Sequence, residues 1–388
     1  MPAPRTIYLD HNATTPTRPE VTEAIAECLR QGYANPASQH QLGQQAKKRL
    51  EEARQQVGRI LGAEVDSANP DRVVFTSGGT EANNLAVLGI ARARTGGRPG
   101  QLVISAVEHA SVIEPAEYLL EQGWRLDTLG VDRHGVIRLD DLEKILTPET
   151  AVVSVISGNH ETGVLQPVCE AAAVCQQLGV PLHTDAIQVA GKLPVHFRQL
   201  GVAALSAAAH KFQGPLGIGV LIVRHDVPID PLEFGGPHQW RIRPGTESVA
   251  LAVGMATALE LWRQEQEEHA RRLTALRERF EAGLKAGFPG LVVNGEGAER
   301  LPQTANLAFP GIEGQVLLMA LDMAGVACSV GSACSSGSTE LSPTLRAMKV
   351  PQEFLTSSLR FSLGATTTEE EIDEAVRRIL HVVRELRG

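Results

Sequence analysis

Short apolar runs alternate with longer helical stretches between residues 72 and 223. The runs are rich in Val, Ile, Leu and small residues, which is typical of buried strands. They read RVVFTS, QLVISA, RLDTLG, AVVSVIS, PLHTDA, AALSAAA and GIGVLIV. Stretches such as PVCEAAAVCQQLG, whose apolar positions have helical spacing, lie between them. This alternation predicts an α/β fold in which helices cover both faces of a mostly parallel sheet.

The last third of the chain has a different pattern, in which long amphipathic helices dominate. One apolar stripe, within 257–286, consists of Leu273, Leu276, Phe280 and Leu284, and another consists of Ile372, Val376, Ile379 and Val383. Thr368 and Glu371 have the spacing of a capping box at the start of the last helix. We therefore expect a large domain over 14–256 and a smaller α+β domain that joins 1–13 to 257–388.

Charge and hydropathy narrow the range of functions. The 388 residues carry a net charge of −9, and no block of basic residues is longer than KKR at 47–49. This argues against nucleic acid or an anionic membrane surface as the main partner. No stretch approaches the roughly 18 apolar residues that a membrane span needs, and the N-terminus lacks the apolar core of a signal peptide. We therefore expect a cytoplasmic protein that acts on a small molecule or on another protein.

The cysteines do not indicate disulfides or a metal. The five cysteines are odd in number and widely spaced, and the chain has no CxxC or HExxH motif. We therefore expect no disulfide framework and no metal site. One cysteine stands out because Cys334 lies in VACSVGSACSSGS (326–338), among Gly, Ser and Ala. Such a stretch is typical of an exposed, mobile segment, which predicts a mobile, reactive thiol.

Three further stretches carry candidate chemistry. The strand RVVFTS ends in a Ser77-Gly78-Gly79-Thr80 turn before a helix, which suits anion binding, although a plain capped turn fits equally well. Asp185 ends an apolar strand, where a parallel sheet binds its ligands, although a helix N-cap is the alternative. Lys211 follows a strand of small residues, and a desolvated lysine is a good nucleophile toward a carbonyl.

Together these parts are those that pyridoxal phosphate needs. Lys211 follows Asp185 by 26 residues. The lysine would bind the cofactor covalently, the acid would keep its pyridine nitrogen protonated, and the turn would bind its phosphate.

The chain resembles the NifS/IscS-type cysteine desulfurases of the class V aminotransferase superfamily, over YLDHNATTP (8–16) to RFSLG (360–364). The motifs between these two are NPASQHQLG (35–43), TSGGTEANN (76–84), VEHASV (107–112), NHETGVLQP (159–167), HTDAIQ (183–188), AHKFQGPLGIG (209–219), RPGTES (243–248) and GSACSSGS (331–338). The resemblance implies a PLP-dependent transferase fold of type I and a homodimer. It also implies L-cysteine as substrate and a sulfur-acceptor protein, such as an iron–sulfur scaffold, as partner.

The resemblance also implies a role for individual residues. Lys211, His109 and Cys334 would be catalytic, with His109 stacked on the cofactor ring and Cys334 accepting the sulfur. Asn35 and Arg360 would bind the substrate carboxylate. The cofactor contacts would come from Gly79, Thr80, His109, Asn159, His160, Asp185, Gln188, Ser206, His210, Lys211 and, from the neighbouring subunit, Thr246.

Two positions depart from the family pattern. Ala208 stands where the family commonly has a serine that binds the phosphate, so Ser206 or water would supply that hydrogen bond. His160 replaces an asparagine in the Asn-Asn-Glu motif, so an imidazole would make a contact that an amide usually makes. Alternatives to a cysteine desulfurase are a selenocysteine lyase or another class V enzyme and, outside catalysis, a PLP-binding scaffold or regulator.

Overall fold

The structure, a computed structural model, describes residues 6–331 and 341–387. Its larger sheet has seven strands in the order β2-β8-β7-β6-β5-β3-β4. They are β2 (Arg72–Thr76), β3 (Gln101–Ser105), β4 (Arg125–Leu129), β5 (Thr150–Ser154), β6 (Leu182–Asp185), β7 (Ala204–Ala208) and β8 (Gly219–Val223). Only β8 in this sheet runs antiparallel to its neighbours, which confirms the mostly parallel sheet.

Helices cover both faces of this sheet. They are α1 (Pro19–Arg30), α2 (Gln41–Ile60), α3 (Gly79–Asn84), α4 (Ile90–Thr95), α5 (Ala110–Glu121), α6 (Leu139–Ile145), α7 (Val168–Gln177) and α8 (Phe197–Leu200), with a π-helical turn, Leu85–Gly89, between α3 and α4. Val73 and Phe75 of β2 pack into a core with α1, α2 and α7, whereas Val74 packs into a second core with α3, α4 and α5. Alternate residues of one strand thus face opposite helical layers, as expected for a sheet buried on both sides.

The remaining helices and strands include those of the smaller part of the molecule. They are β1 (Ile7–Tyr8), α9 (Val249–Gly287), β9 (Val292–Val293), β10 (Thr304–Ala308), α10 (Gly314–Met323), β11 (Val326–Ala327), α11 (Pro343–Ala347), α12 (Gln352–Leu355), β12 (Ser358–Ser362) and α13 (Glu369–Arg387). Strands β12, β10 and β9 form an antiparallel sheet, and β1 pairs with β11 in parallel. No helix among the described residues is long and apolar enough to cross a membrane.

Helix α9 joins the two parts without a break. Its Leu259 packs into the core beneath α1 and α2, whereas Leu273 packs into the core of the smaller part. The boundary expected at 256/257 therefore falls inside one continuous helix, whose buried face changes partner between these two leucines. Ile7 of β1 packs into the smaller core.

The start of α13 matches its sequence pattern. The Glu371 backbone N–H donates to Thr368 Oγ1 over 3.2 Å, and the Thr368 N–H donates to the Glu371 carboxylate, also over 3.2 Å. This reciprocal pair is a capping box, as the spacing predicts.

Glycines allow the turn after β2 to approach the end of the sheet closely. A Cβ on Gly79, at the start of α3, would lie 2.3 Å from Ile187 Cδ1 and 3.4 Å from Ala208 Cβ. A Cβ on Gly219 would lie 2.6 Å from the Gly78 backbone. Side chains at these positions would push the turn away from β6 and β7. The small residues therefore bring the turn next to the strand ends that carry Asp185 and Lys211.

Candidate active site

Lys211 lies just beyond β7, in a 3-10 turn over Ala209–Lys211. Its Nζ donates to the backbone oxygens of Asn12 and Ala13, the latter over 2.9 Å. The same N-terminal segment is tied to the turn because the Thr15 N–H and hydroxyl both donate to the His210 oxygen, over 2.9 and 2.8 Å. The N-terminal segment thus positions the lysine through backbone carbonyls.

Asp185, at the carboxyl end of β6, is the second predicted residue. The Asn83 amide donates to its Oδ2 over 2.7 Å, and the Ile187 N–H donates to its Oδ1 over 2.9 Å. Burial raises the pKa of Asp185, while His109, these hydrogen bonds and Lys211 act in the opposite direction. A buried carboxylate whose hydrogen-bond donors are neutral is well suited to face a cationic ring nitrogen.

His109 is held as the N-cap of α5. Its Nδ1 accepts from the Ser111 N–H over 3.1 Å, and the Ser111 hydroxyl lies 2.8 Å from the same nitrogen. Because Nδ1 accepts from a backbone N–H, the ring proton of the neutral imidazole is on Nε2. The Asn83 amide, which donates to Asp185, also donates to Ser111 Oγ over 2.8 Å. Asp185, Asn83, Ser111 and His109 therefore form one network, in which sequence reasoning missed Asn83 although it lies within TSGGTEANN.

The turn between β2 and α3 contains the predicted phosphate contacts. Gly79 is buried and Thr80 is exposed. The Ser77 N–H donates to the Glu81 carboxylate over 2.6 Å, and that carboxylate is paired with Arg243 over 2.8 Å. His210, the other predicted phosphate contact, lies with its Nδ1 3.2 Å from Thr14 Oγ1. Burial, together with the charge of Lys211, lowers the pKa of His210 to about 4.

Gln188 is buried beside Lys211. Its Nε2 donates over 2.9 Å to the Asn12 oxygen that also accepts from Lys211. The structure therefore brings Asp185, Gln188 and Lys211 together at the end of the larger sheet. We call these three residues the sheet end.

Two predicted cofactor contacts have other tasks in the structure. The Asn159 amide donates to the Val107 oxygen and Thr344 Oγ1, and its oxygen accepts from the backbone N–H groups of Glu161 and Thr162. Both ends of the amide are thus engaged within the protein, and a contact of Asn159 with a cofactor stays a prediction.

Ser206 is the other case. Its hydroxyl lies 2.9 Å from His183 Nε2, and His183 Nδ1 lies 2.9 Å from Ser154 Oγ, so the serine belongs to a buried network across three strands. That Ser206 replaces the serine absent at position 208 stays a prediction. Ala208, two residues further along β7, is the residue that faces Gly79.

A second group of polar residues lies where the smaller antiparallel sheet meets the NHETG loop. Arg360 of β12 is 2 % exposed and donates to Asp10 Oδ1 over 2.8 Å, to the His160 oxygen over 3.2 Å and to the Gly331 oxygen over 3.1 Å. The His160 ring stands edge-on to His109, with 5.0 Å between centroids and an interplanar angle of 79°. We call His160, Glu161 and Arg360 the small-domain edge.

Three buried atoms of the small-domain edge lack a hydrogen-bond partner among the described residues. They are His160 Nδ1, Glu161 Oε1 and Arg360 Nε. Glu161 Oε1 lies 3.7 Å from His160 Nε2. Burial lowers the pKa of His160 well below its usual value, helped by the nearby charges of His109, Arg360 and Lys211. The edge therefore offers an unused donor on a buried guanidinium, which a carboxylate would satisfy.

Cys334 lies outside the described residues, as does the rest of 332–340, so the predicted mobility of this segment stays a prediction. Both flanks of that segment meet at Glu161. A Cβ on Gly331 would lie 2.7 Å from Glu161 Oε2, and the Ser342 hydroxyl donates to the same oxygen over 2.6 Å.

Three other predicted or nearby residues are placed as follows. Asn35 is exposed, and its Oδ1 accepts from the Ala37 N–H over 2.9 Å. Thr246 is also exposed. Cys328 follows β11, and burial, with Asp10 nearby, raises the pKa of its thiol.

No group of three or more His, Cys, Asp or Glu side chains that could hold a metal ion occurs within 6–331 and 341–387.

The chemistry of the sheet end fits pyridoxal phosphate. It combines an amine, a buried carboxylate and an amide next to a glycine turn in which a Cβ on Gly79 would find no room. Lys211 would hold the aldehyde carbon, Asp185 the pyridine nitrogen and Gln188 the ring oxygen. His109 would lie against the ring, and Gly79, Thr80 and His210 would hold the phosphate.

Comparison with known proteins extends these observations. The family model described as aminotransferase class-V matches residues 7–375. The chain is 40% identical over 384 residues to cysteine desulfurase IscS of Dictyoglomus turgidum, which covers 99% of this chain and 96% of that protein. It is 39% identical to cysteine desulfurase NifS of Azotobacter vinelandii, over 98% of this chain and 94% of the relative. A solved structure of a NifS-like protein has a TM-score of 0.90 at 32% identity, and covers 98% of this chain and 100% of the other.

Proposed function

We propose, from the premise that this chain belongs to the class V aminotransferase family as one of its cysteine desulfurases, that Lys211, His109 and Cys334 perform its reaction. The reaction converts L-cysteine into L-alanine. The sulfur is transferred to Cys334, which becomes a persulfide and passes the sulfur to an acceptor protein. One carbon–sulfur bond breaks and one sulfur–sulfur bond forms, with no external oxidant.

The observation that carries this proposal is the convergence of Lys211, Asp185 and Gln188 at one end of the larger sheet. Pyridoxal phosphate, when bound there, supplies the electron sink that makes the substrate Cα–H acidic. The Lys211 amine removes the Cα proton and later returns a proton, which its contact with two backbone carbonyls positions it to do. The buried Asp185 carboxylate would keep a proton on the ring nitrogen of the cofactor.

Substrate binding is assigned to the small-domain edge. Arg360 Nε is the unused donor there, and a charge-assisted hydrogen bond to the cysteine carboxylate would satisfy it. Asn35 is proposed as a second donor, because its oxygen closes a local turn and its amide nitrogen can point to a carboxylate. His160 Nδ1 supplies a further polar contact on the same side.

Sulfur transfer is assigned to Cys334. Its thiolate attacks the sulfur of the bound cysteine, and the released pair of electrons is protonated at Cβ to give the methyl group of alanine. The position of Gly331 and Ser342 beside Glu161 supports this, because both flanks of the segment that carries Cys334 begin at the small-domain edge. Cys328 is a poor alternative, because its raised pKa keeps the thiol protonated.

The quaternary structure and cell compartment are proposed as follows. Two copies form a homodimer in which Thr246 of each reaches the phosphate site of the other, which its exposure on this chain permits. The cytoplasm is the proposed compartment, since the four described cysteines are free thiols, which persist in a reducing environment. The acceptor is proposed to serve iron–sulfur cluster or thio-cofactor assembly.

The test is to incubate the PLP-loaded protein with L-cysteine and a thiol reductant, and to measure alanine and sulfide together. We expect equal amounts of the two products, no product from Lys211→Ala, and no sulfide from Cys334→Ser. Formation of pyruvate without alanine would contradict the assignment. So would formation of alanine that is not accompanied by release of the cysteine sulfur. A protein that stays colourless after addition of PLP would contradict it at the first step.

A further inference from the structure

Lys192 is a buried lysine that the proposed reaction does not use. Lys192 is 4 % exposed. Its Nζ donates to the backbone oxygen and to the side-chain Oε1 of Gln188, both over 3.2 Å. The preceding Gly191 has φ +73° and lies so close to Phe212 that a Cβ would come within 2.1 Å of the Phe212 Cβ. The turn therefore needs glycine at position 191, because any side chain there would collide with Phe212, the residue after Lys211.

Lys192 determines which way the Gln188 amide faces. With Oε1 accepting from Lys192, Nε2 is directed to the other side, where it donates to the Asn12 oxygen over 2.9 Å. A flipped amide would set its carbonyl against the Asn12 carbonyl, so that hydrogen bond would be lost, and it would take away the oxygen that accepts from Lys192 Nζ. The lysine thus selects the orientation in which Gln188 presents a donor.

The surroundings of Lys192 are poor in negative charge. Lys192 lines a cavity together with Lys211, His269, Arg18, Glu265 and Trp262. The other titratable groups that face it are His11 and His210. Burial, together with the charge of Lys211, lowers the pKa of Lys192 well below its usual value.

We propose that Lys192 is a positioning residue that fixes the Gln188 amide, so that Nε2 is presented as a hydrogen-bond donor to the ring oxygen of the bound cofactor. This inference rests on the proposed function, because it requires that the sheet end binds pyridoxal phosphate. A donor fixed against that oxygen stabilises negative charge on it. Loss of Lys192 would free the amide to rotate and weaken this stabilisation.

The experiment is a pH titration of the visible absorbance of the cofactor-loaded protein in four variants. Lys192→Met should raise the titration midpoint by about 0.5 to 1 unit, because the negative charge on the ring oxygen loses a fixed donor. Gln188→Met should raise it at least as far. The double variant Lys192→Met/Gln188→Met should match Gln188→Met alone, since the lysine acts through the glutamine. The matched control, Trp262→Phe, alters the same cavity without touching Gln188 and should leave the midpoint unchanged.

The outcomes separate this inference from the proposed function. A wild-type protein with no visible band after addition of PLP defeats the proposed function. A normal band whose midpoint is unchanged in Lys192→Met, or is shifted as much by Trp262→Phe, overturns the role of Lys192 alone. If Lys192→Met does not fold, a crystal structure of the loaded wild-type protein decides. Lys192 Nζ on Gln188 Oε1, with Nε2 toward the ring oxygen, supports the proposal, and Lys192 turned away from Gln188 overturns it.

Discussion

The sheet end and the small-domain edge differ in how far the protein satisfies its own polar atoms. At the sheet end, both Asp185 oxygens accept hydrogen bonds, and the two ends of the Gln188 amide are engaged by Lys192 and Asn12. At the small-domain edge, His160 Nδ1, Glu161 Oε1 and Arg360 Nε are buried without a hydrogen-bond partner among the described residues. A buried donor without a partner costs about 1 to 3 kcal/mol, more if charged.

The difference matches the order in which the two regions are used. A resident cofactor benefits from side chains that are held in place before it binds, because no orientation has to be found later. A substrate that binds and leaves in every cycle benefits from a site whose unsatisfied donors it completes. This difference supports the proposal that the sheet end binds the cofactor and the small-domain edge binds the cysteine carboxylate.

The largest expected effect lies at the sheet end. Lys211→Ala should lower the rate of alanine formation by about 10³-fold or more, because the only proposed base at Cα is lost. The covalently held visible band should disappear as well. The measurements are alanine production and the absorbance spectrum after gel filtration. Lys144→Ala, an exposed lysine paired with Asp141, is the control and should behave as wild type. A Lys211→Ala protein that retains activity would remove the sheet end from the chemistry.

The next effect distinguishes Cys334 from Cys328. Cys334→Ser should abolish persulfide formation, since a serine hydroxyl does not attack sulfur at neutral pH, while the spectrum of the loaded protein stays unchanged. Cys328→Ser should retain most of the activity, because burial raises the pKa of that thiol and keeps it protonated. Mass spectrometry of protein-bound sulfur distinguishes the two. Sulfur found on Cys328 in the wild type would reverse the assignment.

A smaller effect concerns the buried network beneath the sheet end. Burial lowers the pKa of His183 to about 3, so the folded protein keeps this imidazole neutral while the unfolded chain takes up a proton below about pH 6.5. The unfolded state then binds more protons, and stability falls as the pH falls. His183 should contribute up to about 2 kcal/mol of lost stability between pH 7 and pH 5.

His183→Gln should therefore lose less stability than the wild type over this pH interval. Urea unfolding of the cofactor-free proteins at the two pH values measures the difference. The exposed His381, replaced in the same way, should leave the wild-type pH dependence intact. Parallel curves for wild type and His183→Gln would contradict the buried neutral imidazole.

The smallest effect is expected for His160→Asn, which restores the asparagine common in the family. Burial keeps the imidazole uncharged, so the exchange swaps one neutral polar group for another at the small-domain edge. We expect kcat/KM for cysteine to change by less than about tenfold, which is under 1.4 kcal/mol. A larger loss would show that the imidazole takes part in the reaction rather than only in binding.

Much of this architecture could be predicted from the sequence. Regular apolar runs predict strands because a sheet buried on both faces needs apolar residues throughout, and the runs from RVVFTS to GIGVLIV all lie on strands of the larger sheet. Asp185 and Lys211 were recognisable because each follows such a run directly. The Thr368–Glu371 cap was predictable because its contacts are local.

The remaining features depend on contacts that residue identity does not reveal. Asn12 binds Lys211 through its backbone oxygen, which every residue has. Asn159 and Ser206 carry groups suited to a ligand, yet their hydrogen bonds are taken up within the protein. The boundary expected at 256/257 missed the continuous α9, because only the packing partner changes along that helix. Lys192 carried no motif, and only its burial beside Gln188 identified it.

The central claim, that the two regions bind cofactor and substrate separately, is tested most directly at Arg360. The measurement is a titration with L-cysteine of cofactor-loaded Cys334→Ser protein, which cannot take up the sulfur, followed by visible absorbance. The variants compared in this background are Arg360→Met, Arg360→Met/Asp10→Asn and Arg277→Met. The double variant also removes the charge of Asp10, the carboxylate that Arg360 pairs with. Arg277 is a matched control, because it is also a buried arginine whose Nε has no hydrogen-bond partner among the described residues.

We predict that both Arg360 variants raise the half-saturating cysteine concentration by about 10- to 100-fold, the value of one hydrogen bond to a charged group. They should retain the cofactor as the wild type does, and Arg277→Met should leave the half-saturating concentration unchanged. An unchanged half-saturating concentration in the Arg360 variants, or loss of the cofactor from them, would contradict the division of the site into a sheet end for the cofactor and a small-domain edge for the substrate.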